Sequence, residues 1–147
     1  EEVRRRFEYV FGHPIPGLPR IDLLPIDPAA QLRLGAVKII PILVMHGRLP
    51  ILGFRIDEMA YLTDVKTIPD EELGKLEGLK VLVINALHHR DHPTHLNLEE
   101  ALDLIARIRP ERAFLTHVSH EMGRVEETGK RLPTGVSFAF DGLEIDF

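Results

Sequence analysis

Two short apolar runs on either side of one well-marked helix constrain the fold of this chain more than any other feature. Residues 81–84 read Val-Leu-Val-Ile and residues 113–116 read Ala-Phe-Leu-Thr, without polar alternation. Such runs are typical of strands that are covered on both faces of a layered sheet. Between them, Asn97 is placed to cap a helix over residues 98–108 that ends before Pro110. The sequence therefore predicts a strand–helix–strand unit.

The remaining segments predict further strands and shorter helices around that unit. Strands are expected at residues 37–45, where Pro41 indicates an edge or a bulge, and at residues 52–56 and 59–62, joined by a turn at Asp57-Glu58. Other expected elements are helices at 1–11, 70–76 and 125–132, a proline-rich loop at 12–28 with a short strand near 21–24, and a hairpin of 136–140 with 143–147 around Asp141-Gly142. Together these elements predict an α/β layered fold with a mixed sheet and flanking helices.

Composition excludes several classes of function. The 147 residues carry a formal net charge of −5 and no cysteine, which excludes disulfides, thiolate metal sites and a cysteine nucleophile. Nucleic acid is not expected as a partner, because the basic groups at residues 4–6 and 107–112 are typical of solvated helix faces. No apolar run reaches the roughly 18–20 residues that span a bilayer, and no secretory leader is seen. We therefore expect a cytoplasmic protein without a membrane partner.

Residues with metal-binding chemistry follow the ends of four predicted strands. His46 follows residues 37–45, Asp64 follows 59–62, Asn85 and His88 follow 81–84, and His117 follows 113–116. Ligand crevices in α/β sheets lie at the carboxyl ends of strands. Imidazole and carboxylate groups together are ligands for Zn²⁺, Mn²⁺ or Fe²⁺, and a carboxylate can bridge two such ions.

Several of these residues, and His120, also have an interpretation that involves no metal. His46 can be a solvated turn histidine, Asp64 can cap a turn, and His120 is better explained as the first residue of a helix than as a ligand. The loop that follows residues 81–84 holds four histidines in eight residues: His88, His89, His92 and His95. This loop is either a polar surface turn or a source of a proton donor beside the strand ends.

Four strings in order along the chain resemble one enzyme family. They are Val-Met-His46-Gly, Tyr-Leu-Thr-Asp64, Pro-Thr-His95-Leu-Asn and Leu-Thr-His117-Val-Ser-His120, and they are followed by Phe-Asp141-Gly-Leu-Glu. This pattern is similar to the metallo-β-lactamase-fold hydrolases. Within them it most resembles the branch of the phosphoribosyl cyclic phosphodiesterases, and the similarity covers nearly the whole chain.

The resemblance implies a role for each matching residue. His46 would bind one divalent metal ion, His117 a second, and Asp64 would bridge both as a catalytic ligand. His95 would act beside the metals as the proton donor to the leaving oxygen. His120, Asn97 and Asp91 would contact the substrate or the metal ligands. The implied reaction is hydrolysis of a small, cyclic phosphodiester by hydroxide held on two Zn or Mn ions.

One departure from the family pattern indicates that the 147 residues are only part of the family's fold. The family's His-x-His-x-Asp-His signature, which supplies further metal ligands, occurs nowhere in the 147 residues. The family fold has two halves, arranged αββα, and residues 1–147 correspond to the C-terminal portion. We therefore expect the N-terminal half to lie outside this chain, and the isolated chain to be inactive and a weak metal binder, since zinc sites need three or four protein donors per ion.

Two other functions remain open from the sequence. The same fold can hydrolyse another ester, a thioester or a nucleic-acid phosphodiester, because metal ligands specify the centre and not the substrate. Alternatively, the chain is a non-catalytic half-domain whose exposed inner sheet face pairs with another subunit, for example in a homodimer.

Overall fold

A computed structural model describes residues 2–12, 17 and 21–147. Strands in these residues form one sheet: β1 (Leu32–Leu34), β2 (Val37–His46), β3 (Leu49–Ile56), β4 (Met59–Leu62), β5 (Val81–Asn85), β6 (Arg112–Thr116) and β7 (Val136–Phe138). The helices are α1 (Glu2–Arg6), α2 (Glu8–Phe11), α3 (Asp70–Leu73), α4 (Leu98–Ile108) and α5 (Val125–Thr128), with 3-10 turns at Gly74–Leu76, His120–Met122 and Gly129–Arg131. The expected α/β class with a mixed sheet is confirmed.

The sheet runs in the order β1 to β7, with antiparallel pairs from β1 to β4 and parallel pairs from β4 to β7. As a result, β2, β4, β5 and β6 all end at the same edge, which we call the carboxyl edge. The other edge, where β4, β5 and β6 begin, is the amino edge. Side chains that follow the four strands therefore meet at the carboxyl edge, as the sequence predicts.

The hydrophobic core lies on one face of the sheet, beneath α3 and α4. Ile42, Leu62, Ile84 and Leu115 come from β2, β4, β5 and β6 and are fully buried, and Ala101 and Ile105 of α4 pack with them. The opposite face is less well covered, since Tyr61 lies on it with 47% of its surface exposed. Val83 of β5, which is paired with Tyr61 on this face, is nevertheless buried, so the face is covered unevenly.

Most of the expected elements are confirmed, among them the strand around Pro41. Pro41 lies beyond Ile39, where the pairing of β2 with β1 stops. Farther along this side of β2, the Leu43 N–H donates to Glu72 Oε2 (2.7 Å) and the Met45 N–H to the Thr67 carbonyl (2.9 Å). A proline fits this edge because it has no N–H to satisfy.

The predicted C-terminal hairpin is wrong. β7 is present but pairs in parallel with β6, and residues 143–147 form no strand. The Asp141-Gly142 turn does exist, closed by the Leu143 N–H to the Phe140 carbonyl, but only Gly142 has a positive φ. The two favoured hairpin turns, types I′ and II′, both need a positive φ at the first central position, which is Asp141 here, and types I and II splay the two arms apart.

The N-terminal expectations are corrected in part. The predicted helix over residues 1–11 is broken at Phe7 into α1 and α2, and Phe7 and Val3 are each 47% exposed. No strand forms at residues 21–24. The predicted loop at 12–28 falls in part on residues 13–16 and 18–20, which lie outside the described residues. None of the described helices is long and apolar enough to cross a bilayer.

Candidate metal centre

Four side chains from different elements converge at the carboxyl edge. Nε2 of His95 lies 3.1 Å from Asp64 Oδ1, and Nε2 of His117 lies 3.7 Å from the same oxygen. The His95 ring stacks on His117, with centroids 4.7 Å apart, and meets His46 edge-on at the same distance. Ligand atoms of His46, Asp64 and His95 all lie within 4.8 Å of one another. The tertiary structure thus assembles the imidazole and carboxylate groups that the sequence predicts to act together.

Two residues of this cluster adopt a left-handed backbone conformation. Asp64 has φ 58° and His117 has φ 55°. Non-glycine residues in this region are uncommon, and each such conformation costs on the order of 1 kcal/mol or more. The two residues lie just after the ends of β4 and β6, and Nε2 of His117 lies 3.7 Å from Oδ1 of Asp64. Local backbone strain of this kind is concentrated at functional sites in proteins.

The loop that carries Asp64 is fixed by its neighbours on both sides. Asn85 Oδ1 accepts from the Val65 N–H (2.7 Å), and Asn85 Nδ2 donates to the Val65 carbonyl (3.1 Å). That carbonyl also accepts from the Leu96 N–H, which ties the Asp64 loop to the loop of His95. Asn85 is fully buried, so its role is to hold Val65 and not to face a ligand.

The charges of the cluster determine how its groups are ionised. Burial acts to raise the pKa of Asp64, but the hydrogen bond with His95 and the charge of His117 outweigh it and leave that pKa below its usual value. Burial is also the largest influence on His95 and lowers its pKa. The hydrogen bond to Asp64 opposes this, while His117, His46 and His92 reinforce it. The site therefore pairs an ionised carboxylate with a neutral imidazole near pH 7.

The atoms present fit a divalent transition-metal ion. The Nε2 atom of His46 is buried, and within the described part of the chain it has no hydrogen-bond partner. A buried polar atom without a partner needs an explanation, and an ion is one of the few. Two imidazoles and a carboxylate are a donor set for zinc, manganese or iron. His46 and Asp64 would hold such an ion, and His95 has a ligand atom within reach of both. His117, which the sequence resemblance implies as a further ligand, lies 3.7 Å from Asp64 Oδ1.

The other predicted site residues lie farther from the cluster or serve the fold. Asn97 Oδ1 accepts from the Glu100 N–H (2.8 Å) and caps α4, while its Nδ2 donates to Asp91 Oδ1 (2.9 Å). His120 is exposed and opens the 3-10 turn that Ser119 caps. The sequence-based preference for a helix-start role of His120 is thus confirmed, and contact of these three residues with a substrate stays a prediction.

Sequence reasoning missed the contacts of His92 and Thr94. Both have polar atoms within 3.1 Å of Nδ1 of His95, on the side of the ring away from Asp64. Their spacing carried a signal, because proline at the second position of a four-residue turn brings the first and fourth residues together. Pro93 occupies that position between His92 and His95.

Comparison with known proteins identifies the family. The sequence profile of the Beta-lactamase superfamily domain matches residues 1–118. An octanoyltransferase from Porphyromonas gingivalis (strain ATCC BAA-308 / W83) is 39% identical over 146 residues, which are 98% of this chain but 30% of that protein. This chain spans less than a third of that enzyme, so the activity in the enzyme's name is stated of the enzyme alone.

Solved structures resemble the fold over most of its length. A diphosphatase of the PhnP family superimposes with a TM-score of 0.87 at 32% identity, over 99% of this chain and 54% of that one. The metallo-β-lactamase fold protein YhfI from Bacillus subtilis follows at 0.65 and 17% identity, over 95% and 59% of the two chains. Human tRNase Z, short form, gives 0.59 and 18%, over 78% and 45%. This chain spans about half the length of these structures.

Proposed function

Because this chain belongs to the beta-lactamase superfamily and has the fold of its metallohydrolases, we propose that it forms part of a metal-dependent phosphodiesterase. The substrate we propose is a small phosphodiester, of which a cyclic one is the form implied by the sequence resemblance. The family supports hydrolysis in general, and the likeness to a diphosphatase at 32% identity favours a phosphorus ester among the possible substrates.

One observation carries this proposal: four metal-binding or proton-transferring side chains meet at one edge of the sheet. His46, Asp64, His95 and His117 come from positions 71 residues apart, yet two imidazoles reach the same carboxylate oxygen within 3.1 and 3.7 Å. Packing does not require this arrangement, and the left-handed backbone at Asp64 acts against stability.

The metal ions and His95 have different roles in the proposed reaction. Bound divalent ions, which we propose to be two Zn or Mn, would make hydroxide available near neutral pH and hold phosphate oxygens. Attack on phosphorus forms one P–O bond and breaks the bond to the leaving oxygen, which takes a proton from Nε2 of His95. His95 must then be doubly protonated beforehand. The hydrogen bond with the Asp64 carboxylate at 3.1 Å acts towards that form, against burial and the neighbouring imidazoles, which lower the pKa of His95 overall. General acid catalysis of this kind contributes about 10²–10⁴-fold.

The remaining ligands would come from another part of the full-length protein. We propose that residues 1–147 are the C-terminal portion of the hydrolase domain, since the chain spans 54% of the diphosphatase. The half-exposed sheet face supports this, because Tyr61 and its neighbour Phe54 need an apolar layer opposite them. Three or four donors shared between two ions are too few for tight binding by this portion alone.

The test is an assay of the metal-depleted full-length protein on bis-p-nitrophenyl phosphate and on cyclic ribose phosphates, with Zn²⁺ or Mn²⁺ added back. We expect metal-stimulated turnover that Asp64→Ala and His117→Ala abolish. The absence of stimulated turnover on every substrate would contradict the proposal. If only a thioester or a carboxylic ester were hydrolysed, the proposed metal centre would be supported and the proposed phosphodiester substrate would be wrong.

Light scattering of the 147-residue chain separates the proposal from the non-catalytic half-domain. We expect association through the open sheet face into ill-defined aggregates. A well-folded homodimer that neither binds Zn²⁺ nor stimulates hydrolysis would instead favour an interaction subunit.

A further inference from the structure

Three polar atoms meet on the side of the His95 ring that faces away from Asp64. Thr94 Oγ1 lies 2.9 Å and His92 Nδ1 lies 3.1 Å from His95 Nδ1. The hydroxyl is also 3.3 Å from His92 Nδ1, so the three atoms form a closed triangle. The other ring nitrogen of His95, Nε2, lies 3.1 Å from Asp64 Oδ1. Both nitrogens of the His95 ring thus have polar contacts: Nε2 with a carboxylate, and Nδ1 with a hydroxyl and an imidazole.

The carboxylate dictates what happens at Nδ1. An ionised Asp64 only accepts, so Nε2 of His95 carries a hydrogen and Nδ1 of the neutral ring has none. Nδ1 then needs a donor, which the Thr94 hydroxyl supplies. In the doubly protonated ring Nδ1 becomes a donor, and the same hydroxyl oxygen can accept. A hydroxyl is therefore suited to hold the ring in one orientation in both of its protonation forms.

His92 adds a second constraint at the same atom. Two Nδ1 atoms 3.1 Å apart are compatible only when a hydrogen lies between them. The Thr94 N–H donates to His92 Nδ1 (3.4 Å), so that atom presents a lone pair and can accept from Nδ1–H of the doubly protonated His95. The His92 ring also meets the His88 ring edge-on, with centroids 5.8 Å apart. His88 is 6% exposed, which gives His92 a rigid neighbour on that side.

Thr94 is itself held in place by the turn that follows β2. A Cβ atom at Gly47 would lie 3.0 Å from Thr94 Cγ2 and 3.2 Å from the Pro93 carbonyl. Gly47 also has φ 63°, a conformation that favours glycine. Both the close contacts and the backbone conformation therefore require a residue without a side chain at this position. The turn after β2 and the loop 92–95 therefore approach each other closely at the Thr94 methyl.

We propose that Thr94 is a positioning residue, with His92 as its partner, which acts through Nδ1 of His95 to keep Nε2–H directed at Asp64 and the leaving oxygen. This inference rests on the proposed function, because it assigns a task to the proton donor of that reaction. It adds a requirement that metal ligands alone do not impose. The loop 92–95 must present a hydroxyl, and not only an imidazole, beside the metal centre.

The first test uses leaving groups of different basicity in the metal-loaded full-length protein. Thr94→Val should lower kcat about 10-fold on a methyl or phenyl ester, with KM little changed. On a p-nitrophenyl ester the loss should be much smaller, because that leaving group needs no proton. Thr94→Ser should restore wild-type behaviour, and Thr134→Val, at an exposed threonine before β7, is the matched control. An equal loss on both esters, or no loss, would overturn the inference.

The second test needs no activity. Long-range ¹H–¹⁵N spectra of the metal-free full-length protein, labelled at histidine, report which ring nitrogen of His95 is protonated. We expect the Nε2–H tautomer in the wild type and in Thr94→Ser, and a mixture in Thr94→Val. His92→Phe should reduce that mixture, because it removes the acceptor for a hydrogen on Nδ1 of His95. An Nδ1–H tautomer in the wild type, or identical spectra in Thr94→Val, would overturn the positioning role. Failed turnover with the expected spectra would overturn the proposed function alone.

Discussion

At the carboxyl edge of the sheet, Asp64 and His117 adopt a left-handed backbone, and a buried nitrogen of His46 lacks a hydrogen-bond partner among the described residues. At the amino edge, the polar groups are paired. Arg55 donates to the carbonyls of Asp57, Lys75 and Glu77 at 2.7–2.8 Å, and Lys80 lies 2.6 Å from Glu58. The first edge gives up stability to present chemical groups, whereas the second joins a turn, a helix end and a strand.

This contrast predicts opposite results for similar substitutions at the two edges. At the carboxyl edge, removal of a side chain should destroy activity without a comparable loss of stability. At the amino edge, the reverse should hold. The following four predictions test that division, from the largest effect to the smallest.

The largest effect is expected for Asp64→Asn. The amide cannot bridge cations as a carboxylate does, so metal-stimulated kcat/KM should fall by about 10²–10³-fold or more. The matched control is Asp57→Asn, since Asp57 also has a positive φ (48°) but lies in the turn at the amino edge. Hydrolysis assays of both variants decide the matter. Equal losses in the two variants would remove the distinction between the edges.

The second prediction concerns Arg55→Met at the amino edge. Three carbonyl groups lose a charged donor, so we expect the free energy of unfolding to fall by about 2 kcal/mol. Activity per folded molecule should stay at the wild-type level. Urea unfolding measures the first quantity and the hydrolysis assay the second. Arg33→Met, on the exposed strand β1, is the control and should change neither.

The third prediction is a gain of stability at the carboxyl edge. Glycine adopts φ 55° without steric cost, so His117→Gly should raise the free energy of unfolding by about 0.5–1 kcal/mol while it removes metal-dependent activity. His120→Gly, in the 3-10 turn nearby, should instead lower stability, because the φ of residue 120 is not positive. A thermal melt that shows destabilisation by His117→Gly would argue against stored backbone strain.

The smallest effect is a pH dependence beside the site. Burial tends to raise the pKa of Glu100, but the hydrogen bonds from Lys66 and from the Asn97 N–H lower it overall. A carboxyl pKa that is lower in the folded state adds stability above its ordinary value, and that stability is lost as pH falls through the folded-state value.

Glu100→Gln should therefore cost a few tenths of a kcal/mol near neutral pH, a small figure because the carboxylate is partly exposed. The difference from wild type should shrink in acid. Urea unfolding at several pH values measures it. A difference that stays constant with pH would exclude the ion pair as its source.

Much of the fold was predictable because its signals are local. The α4 helix carries its own start signal, and the capping box between Asn97 and Glu100 forms as the residue types require. The apolar run that became β5 is buried at every position, as its lack of alternation predicts. The prediction of a C-terminal hairpin was wrong because the turn residues alone do not determine whether the second segment pairs with the first.

The candidate site was predictable in kind but not in its contacts. Strand ends and residue types pointed to His46, Asp64 and His117, because side chains after parallel strands share an edge. The role of His95 was implied by the family resemblance. Nothing local indicated that His95 would stack on His117, or that Asn85 would turn away from the site to hold Val65. These outcomes depend on loops that pack against one another from distant parts of the chain.

The sequence by itself determined the α/β class, the helix cap at Asn97 and the residue types that gather at the carboxyl edge. Only the tertiary structure decided their relations: the left-handed turns at Asp64 and His117, the contacts on Nδ1 of His95, and the burial of His46 Nε2 without a partner in the described part of the chain. The physical reason is range. Propensity and periodicity act over a few neighbouring residues, whereas distances between ligand atoms arise from the register of strands and from loop packing.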